Sequence, residues 1–375
     1  MKNSSVLSAA KATLKSEALL VTAVLLAIIS SFYNTPDWHS IDFNVLGVLF
    51  SLMLVVCGLK SIQFLDWLAL ELLKPCANLR SVTWVLVGIT FFASMFVTND
   101  VALITFVPLA LIIGKAVRRD MVRPIVLMTL AANLGSMLTP QGNPQNLFLF
   151  THYGYTANDF LTVMSVPVMI SVIYIGILVW QTQDAAISFD LGTLPRHNRN
   201  LTILYLALLA VNVAAVLHYL DKWLVLGLTV AVCVLLNWRL LLQVDYGLLL
   251  TFVGFFIFIG NIQHTEFVVY LKNSLLGTTA GTYAAATLTS QFISNVPAAM
   301  LLAGLTNQAD ALLVGVNVGG LGTLIASMAS VISYKFFTKD YPSLSFTFLQ
   351  SFSFYNFAGL LLIGLCSYGW LVLRS

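Results

Sequence analysis

Residues 133–146 read NLGSMLTPQGNPQN. This polar string lies inside an otherwise apolar run from about Val122 to Phe150, which is long enough to cross a bilayer. Pro140 and Pro144 stand four residues apart with Gly142 between them, so no unbroken i→i−4 ladder can pass through. A free carbonyl or N–H in hydrocarbon costs several kcal/mol unless it faces protein, water or a ligand. The run therefore reads as a membrane helix broken at depth, the device by which secondary transporters build substrate and ion sites. The bland alternative is a polar loop outside the membrane. Against it stands a second copy of the device later in the chain.

Composition agrees with a membrane setting. Hydrophobic residues make up 59%, charged residues 9%, and the mean hydropathy is +0.92, whereas soluble domains carry roughly a quarter charged residues. The class is an all-α integral membrane protein. Cys57, Cys76, Cys233 and Cys366 show neither metal spacing nor a disulfide framework. Lys2, Lys11 and Lys15 before the apolar run 18–32 imitate a signal peptide. With no A-x-A-like site after it, that run is expected to be an uncleaved first helix.

Apolar runs predict nine crossings: 18–32, 43–59, 122–150 (broken), 160–180, 201–219, 223–240, 246–260, 311–334 and 346–372. Two regions look too short per arm to cross twice. Residues 82–114 have arms of about sixteen and fourteen residues around Thr98-Asn99-Asp100, and 280–305 turn at Ser294-Asn295-Val296-Pro297. Both are expected to be re-entrant hairpins ending at mid-membrane, with a tenth and eleventh crossing built from these pieces as the alternative. The segment 62–74 suits a helix lying along the interface. With the N-terminus inside, fifteen Lys and Arg fall on the cytoplasmic side and three (Lys222, Lys272, Arg374) outside, accounting for all eighteen. The C-terminus then lies outside, and a bacterial cytoplasmic membrane is the expected location.

The chain also repeats itself. IDF at 41–43, an apolar helix and Phe64 are echoed by VDY at 244–246, an apolar helix and Phe267. Ser94 precedes Thr98 by four residues, as Ser290 precedes Ser294. Asn133, Gly135 and the 139–146 loop are echoed by Asn317, Gly319, Gly320, Gly322 and Thr323. The expected units are 1–195, with hairpin 82–114 and broken helix 122–150, and 223–375, with hairpin 280–305 and broken helix 311–334. Residues 196–222 supply one extra crossing between them, which makes the second unit upside down, an inverted-topology repeat.

Tips and breaks should meet near the bilayer centre. Half-helix N-termini there suit an anion, and unwound carbonyls with Asn, Ser and Thr oxygens suit Na⁺. No Lys or Arg falls in the expected core, so a bound cation would help offset an anionic substrate. Asp100 is the one ionisable residue expected at mid-depth, and its expected work is ion or proton handling; its plainer role is a tip cap. Asn99 and Asn295 are candidate ligands, or turn residues. The five histidines form no metal cluster. The Phe-rich stretches 252–258 and 346–357 read as lipid-facing or packing. An intramembrane enzyme would need a convergent set such as H-E-x-x-H, which is absent, and a passive channel would favour pore-lining symmetry over broken repeats.

The tips TND and SNV, each followed by a Gly-, Pro- and Asn-bearing break, resemble the ion transporter superfamily over about residues 40–340. That group includes divalent-anion/sodium symporters, arsenite permeases and certain Na⁺/H⁺ antiporters. TPQGNPQN is similar to the Gly-x-Pro-x-Asn loop of the anion permeases. The resemblance implies one cation site at Ser94, Thr98 and Asn99 with the 139–143 loop, Thr139 included. A mirror site would use Ser290 and Asn295 with Gly319–Thr323. A small anionic substrate would lie between the tips, near Thr98, Asn99, Asp100, Gly142, Asn143, Pro144, Asn146, Ser294, Asn295, Gly320 and Thr323. Dicarboxylate members carry Ser-Asn-Thr at both tips, where this chain has Asp100 and Val296 in place of hydroxyls. The implied function is a secondary transporter of a carboxylate or inorganic oxyanion coupled to Na⁺ or H⁺, with a cation/proton antiporter using Asp100 as the alternative. No cofactor, no metal beyond Na⁺ and no nucleic acid is expected, and a homodimer is left open.

On a Cys-less background, a cysteine at position 118 should be labelled from the cytoplasmic side only. Labelling from the outside alone would reverse the orientation.

Overall fold

The computed structural model describes residues 18–35, 38–187, 198–263 and 265–374. Lys2, Lys11, Lys15, Arg196, His197 and His264, and the boundary between the first unit and the linker, lie outside the described residues. The rest folds into seventeen α-helices joined by short 3₁₀ turns. In chain order they are α1 (Ala18–Ser31), α2 (Phe43–Ser61), α3 (Phe64–Leu73), α4 (Leu79–Val97), α5 (Asn99–Val117), α6 (Val122–Ser136), α7 (Pro144–His152) and α8 (Ala157–Trp180). There follow α9 (Arg199–Val216), α10 (Lys222–Asn237), α11 (Tyr246–Ile262), α12 (Glu266–Ser274), α13 (Thr279–Ile293), α14 (Asn295–Ala303), α15 (Ala309–Val318), α16 (Met328–Asp340) and α17 (Ser345–Arg374). Many starts are marked by a short polar side chain that accepts from the free N–H groups of the first turn. Asp42, Asn78, Asn143, Thr156, Asn198, Asp221, Asp245 and Thr278 all cap in this way.

Seven helices among the described residues are long and apolar enough to cross a membrane. Two of these are α4 and α5, the arms of the first hairpin. Nineteen residues each, at 1.5 Å per residue, give about 28 Å, so these arms are longer than the apolar run 82–114 suggests. The difference lies at the polar ends, which hydropathy does not count as helix. An Asn78–Ser81 capping box starts α4 three residues early, and Lys115 carries α5 on to a left-handed Arg118. Despite that length, the tip stops short of the far end: Asn99 bonds Asn133, in the middle of the α6–break–α7 run. The second hairpin keeps shorter arms, fifteen residues in α13 and nine in α14. Residues 64–73 form the helix expected within 62–74, with Leu65, Ala69 and Leu73 buried.

Contacts sort the helix ends into two groups. At one end Arg80 Nε donates to Thr182 O (2.9 Å), Arg123 Nη2 to Leu178 O (2.8 Å), and Lys115 pairs with Asp340 (2.7 Å). At the other, Asn34 Nδ2 donates to Asn261 O (2.6 Å), the Tyr153 hydroxyl to Thr306 O (2.9 Å), and Arg374 pairs with Asp310 (3.3 Å). The first hairpin opens toward the Arg80 end and the second toward the Thr306 end. The succession α2 to α8 is matched type for type by α11 to α17: long helix, short helix, two hairpin arms, two halves of a broken helix, long helix.

The broken helices form the centre. Every residue from Pro124 to Ser136, from Pro144 to Phe150 and from Ala311 to Val318 is buried, so these segments are enclosed on all sides. By contrast only Val225, Thr229 and Cys233 are buried on α10, which lies at the rim. The Phe-rich stretches divide: Phe252, Phe255, Phe256, Phe348 and Phe352 are buried, whereas Phe346, Phe354 and Phe357 are exposed. The most extensive helix packing is that of α4 on α6, and Gly135 permits it. A Cβ at Gly135 would run into the Phe91 carbonyl and stand 2.7 Å from Ser94 Oγ. Gly135→Ala should therefore cost about 1–3 kcal/mol of stability, read as a lower thermal unfolding midpoint of the detergent-purified protein; an unchanged midpoint would show that α4 can move aside freely.

Candidate functional site

The two hairpin tips share one unusual backbone conformation. Thr98 has φ 74° and ψ 154°, and Ser294 has φ 74° and ψ 156°. Side-chain-bearing residues rarely occupy this region, at a cost of order 1–3 kcal/mol each. The conformation reverses the chain in one residue, so that α5 and α14 begin immediately and turn their free N–H groups inward. Other equivalences the sequence suggests are physical too: Ser94 abuts Gly135 and Ser290 abuts Gly319.

Surroundings hold each tip in place. Asn99 Nδ2 donates to Asn133 Oδ1 (3.2 Å), which also accepts from the Ser327 hydroxyl (2.9 Å), while Asn133 Nδ2 donates to Ser330 Oγ (3.3 Å). Asn133 thus ties the first tip to the start of α16 in the other half. At the second tip, Gln291 is the tie. Its Nε2 donates to Gly319 O (2.8 Å) and Leu321 O (3.0 Å), its Oε1 accepts from Thr323 N (2.9 Å), and its backbone carbonyl accepts from the Thr323 hydroxyl (2.9 Å).

The first break spends its polar groups on itself. Asn146 Nδ2 reaches Ser136 O and Met137 O, carbonyls at the end of α6, and Thr139 O, which also accepts from Gly142 N, each at 3.2 Å. Asn143 Oδ1 caps α7 by accepting from Asn146 N (2.8 Å), and its Nδ2 donates to Ser136 Oγ and to Asn317 Oδ1, both at 3.2 Å. Asn317 Nδ2 closes the circuit on Asn146 Oδ1 (2.6 Å). Asn143, Asn146 and Asn317 therefore sew the two breaks together.

Between the tips lies a cavity of about 170 Å³, lined by Asn99, Asp100, Pro144, Gln145, Asp245, Asn295, Val296, Ser327 and apolar neighbours. A vestibule of about 380 Å³ shares Asp100, Pro144 and Asp245 with it and adds Lys60, Thr98, Gln141, Gln243 and Asn143. Of the expected site residues, Asn99, Asp100, Pro144 and Asn295 line the cavity, and Thr98 and Asn143 line the vestibule. Ser94, Thr139, Gly142, Asn146, Ser290, Ser294, Gly319, Gly320 and Thr323 form the wall behind them. Ser94 and Ser290 donate to carbonyls of their own helices, and the Thr139 hydroxyl donates to Met95 O (2.6 Å). The sequence reading missed Gln145, Asp245 and Ser327 on the lining, and Gln291 behind it. The one available signal was the VDY echo of IDF, which marked Asp245 as a repeat position without showing where it points.

Besides α11, whose start is capped by Asp245, four helices start at this cavity: α5 at Asn99, α7 at Pro144, α14 at Asn295 and α16 at Met328. Each contributes roughly half a positive charge at its N-terminus. Among the described residues no Lys or Arg lines the cavity, whereas two carboxylates do. Among the described residues lining the cavity and vestibule, three buried acceptors have no hydrogen-bond partner: Asn99 Oδ1, Asp100 Oδ1 and Gln141 Oε1.

A polar cavity enclosed at the tips of two hairpins, inside an apolar helical bundle, defines a membrane transporter rather than an enzyme. The chain belongs to the citrate transporter family, whose model matches residues 12–314. It is 31% identical over 316 residues to an uncharacterized transporter of Methanocaldococcus jannaschii, covering 83% of this chain and 86% of that one. It is 28% identical to the inner membrane protein YbiR of Escherichia coli, over 86% and 88% of the two chains. Among solved structures the Alcanivorax borkumensis YdaH transporter superposes with a TM-score of 0.60 over 95% of this chain and 97% of its own, at 12% identity, a likeness of fold.

Removing one stitch between the breaks should be felt at both. Asn317→Ala deprives Asn143 Nδ2 of an acceptor and leaves Asn146 Oδ1 buried without its donor, a loss of about 1–3 kcal/mol, and thermal stability and transport should fall together. Transport and melting like those of the unaltered protein would mean the stitch carries no load.

Proposed function

We propose that this protein is a secondary active transporter that carries a small anion together with a compensating cation, Na⁺ or H⁺, by alternating access. The observation that carries the reading is the charge make-up of the tip cavity. Four helix N-termini supply diffuse positive potential without a fixed cation, and Asp100 and Asp245 supply negative charge. Such a site holds an anion well only when a cation is held with it. The unpartnered oxygens of Asn99, Asp100 and Gln141 are acceptors waiting for one. The substrate is a carboxylate or an inorganic oxyanion. A rice relative is named a silicon efflux transporter, but it aligns over only 131 residues, 35% of this chain and 27% of its own.

The reading includes two inverted repeats, in 1–195 and 223–375, with about nine crossings and two re-entrant hairpins. It places the chain in the cytoplasmic membrane with its N-terminus inside. Supporting the inversion are the equal tip conformations and the hairpins' opening toward opposite ends. A second reading, a cation/proton antiporter, draws on Asp100 Oδ1, which is buried without a partner.

Proteoliposome uptake of mono-, di- and tricarboxylates, sulfate and arsenite, with a Na⁺ or pH gradient imposed in turn, tests the proposal. One anion should accumulate under one gradient. Asp100→Asn, which keeps size but not charge, should lower its accumulation to the equilibrium level while downhill exchange persists. Cation flux with no anion requirement would favour the antiporter, and full accumulation by Asp100→Asn would reduce Asp100 to a cap.

A further inference from the structure

We propose that Asp245 is the second carboxylate of the cation path, the group through which the coupling cation passes between the vestibule and Asp100. The inference rests on the cavity being the transport site, and goes beyond it by assigning the portal. Asp100 and Asp245 both stand in the wall that the tip cavity and the vestibule share. A solute moving from one chamber to the other meets both carboxylates.

The charge sign of the portal follows from what is absent and what is spare. Among the described residues no base lines the tip cavity to balance the two carboxylates, and Lys60 lines the vestibule. Asn99, only 5% exposed, and Gln141, 4% exposed, each keep a side-chain oxygen without a donor beside the same passage. The Asn99 amide nitrogen is taken up by Asn133 Oδ1, the oxygen to which Ser327 also donates, which leaves Asn99 Oδ1 as its spare atom. The spare atoms are thus all oxygens, the ligand set of a hard monovalent cation or a hydrated proton.

Asp245 is placed to hand such a cation inward. One of its oxygens caps α11, accepting from Leu248 N at 2.9 Å, and the residue is otherwise exposed at the vestibule. The charged or titratable groups facing it there are Asp100, Lys60 and the Cys57 thiol. At the opposite end Asp42 caps α2 in the same way and lines a chamber of about 470 Å³ that shares no residue with the tip cavity. The portal is therefore on the Asp245 side.

Asp245→Asn removes the charge and keeps the cap, since Asn is as good an N-cap as Asp. Two arms separate the ions: radiolabelled sodium binding to the purified full-length protein at constant pH, and dye-reported proton uptake in proteoliposomes at constant sodium. In the arm that Asp100→Asn abolishes, Asp245→Asn should raise the half-saturating cation concentration about tenfold, and Asp245→Glu should restore it. Lys60→Gln should shift it the opposite way, which keeps the test open if the first variant inserts poorly. A half-saturating concentration unmoved by Asp245→Asn and Lys60→Gln, with Asp100→Asn still abolishing the signal, would overturn the role of Asp245 alone. If Asp100→Asn changes neither arm, the cavity itself is not the transport site, and the portal falls with it.

Discussion

Backbone interrupted inside an apolar bundle must find partners within the protein, because hydrocarbon offers none. In this transporter the requirement is met by a few amide side chains. The amide nitrogen of a single one, Asn146, lies within bonding distance of three carbonyls at the first break, and Gln291 does comparable work at the second with Gly319, Leu321 and Thr323. The Asn143–Asn317–Asn146 circuit then joins the breaks across more than 170 residues of chain. An Ala at any of these positions leaves a buried polar group unpaired, which is where a chain of this kind has least tolerance.

The same wall supports the strain at the tips. Thr98 and Ser294 occupy a backbone region that costs of order 1–3 kcal/mol each, and glycine would sit there at ease. The conformation confines each chain reversal to a single residue. It also starts α5 and α14 at the cavity, so that their N-termini are aimed before any solute arrives. Strain held by Asn133 on one side and by Gln291 on the other is strain shared between the two halves of the molecule.

Electrostatically the cavity is a compromise. Helix ends attract an anion but fall off within a turn, whereas carboxylates attract a cation over a longer reach. On the proposed reading, having both in one small space makes binding of either ion easier when the other is present, which is the thermodynamic content of coupling.

Much of this was legible along the chain. Apolar runs marked the helices, Pro140, Gly142 and Pro144 marked a break, and the spacing of Ser94 from Thr98 and of Ser290 from Ser294 marked two related tips. Local cues suffice for such features because crossing hydrocarbon, breaking a helix and reversing a chain are local demands. They failed at polar helix ends, where Asn78 and Lys115 extend the first hairpin beyond its apolar run. At the Phe-rich stretches, read as lipid-facing or packing, both occur, and only the fold shows which members do which. Tertiary structure alone decided which polar atoms are consumed and which remain. Asn146 has the same amide as Asn99, yet one is spent on backbone carbonyls and the other keeps an oxygen free, because their partners come from different, distant segments. Asp245 was marked in the sequence only by the VDY echo of IDF, and it is tertiary structure, with α11 packed on α1 and α14, that puts its carboxylate in the wall two chambers share.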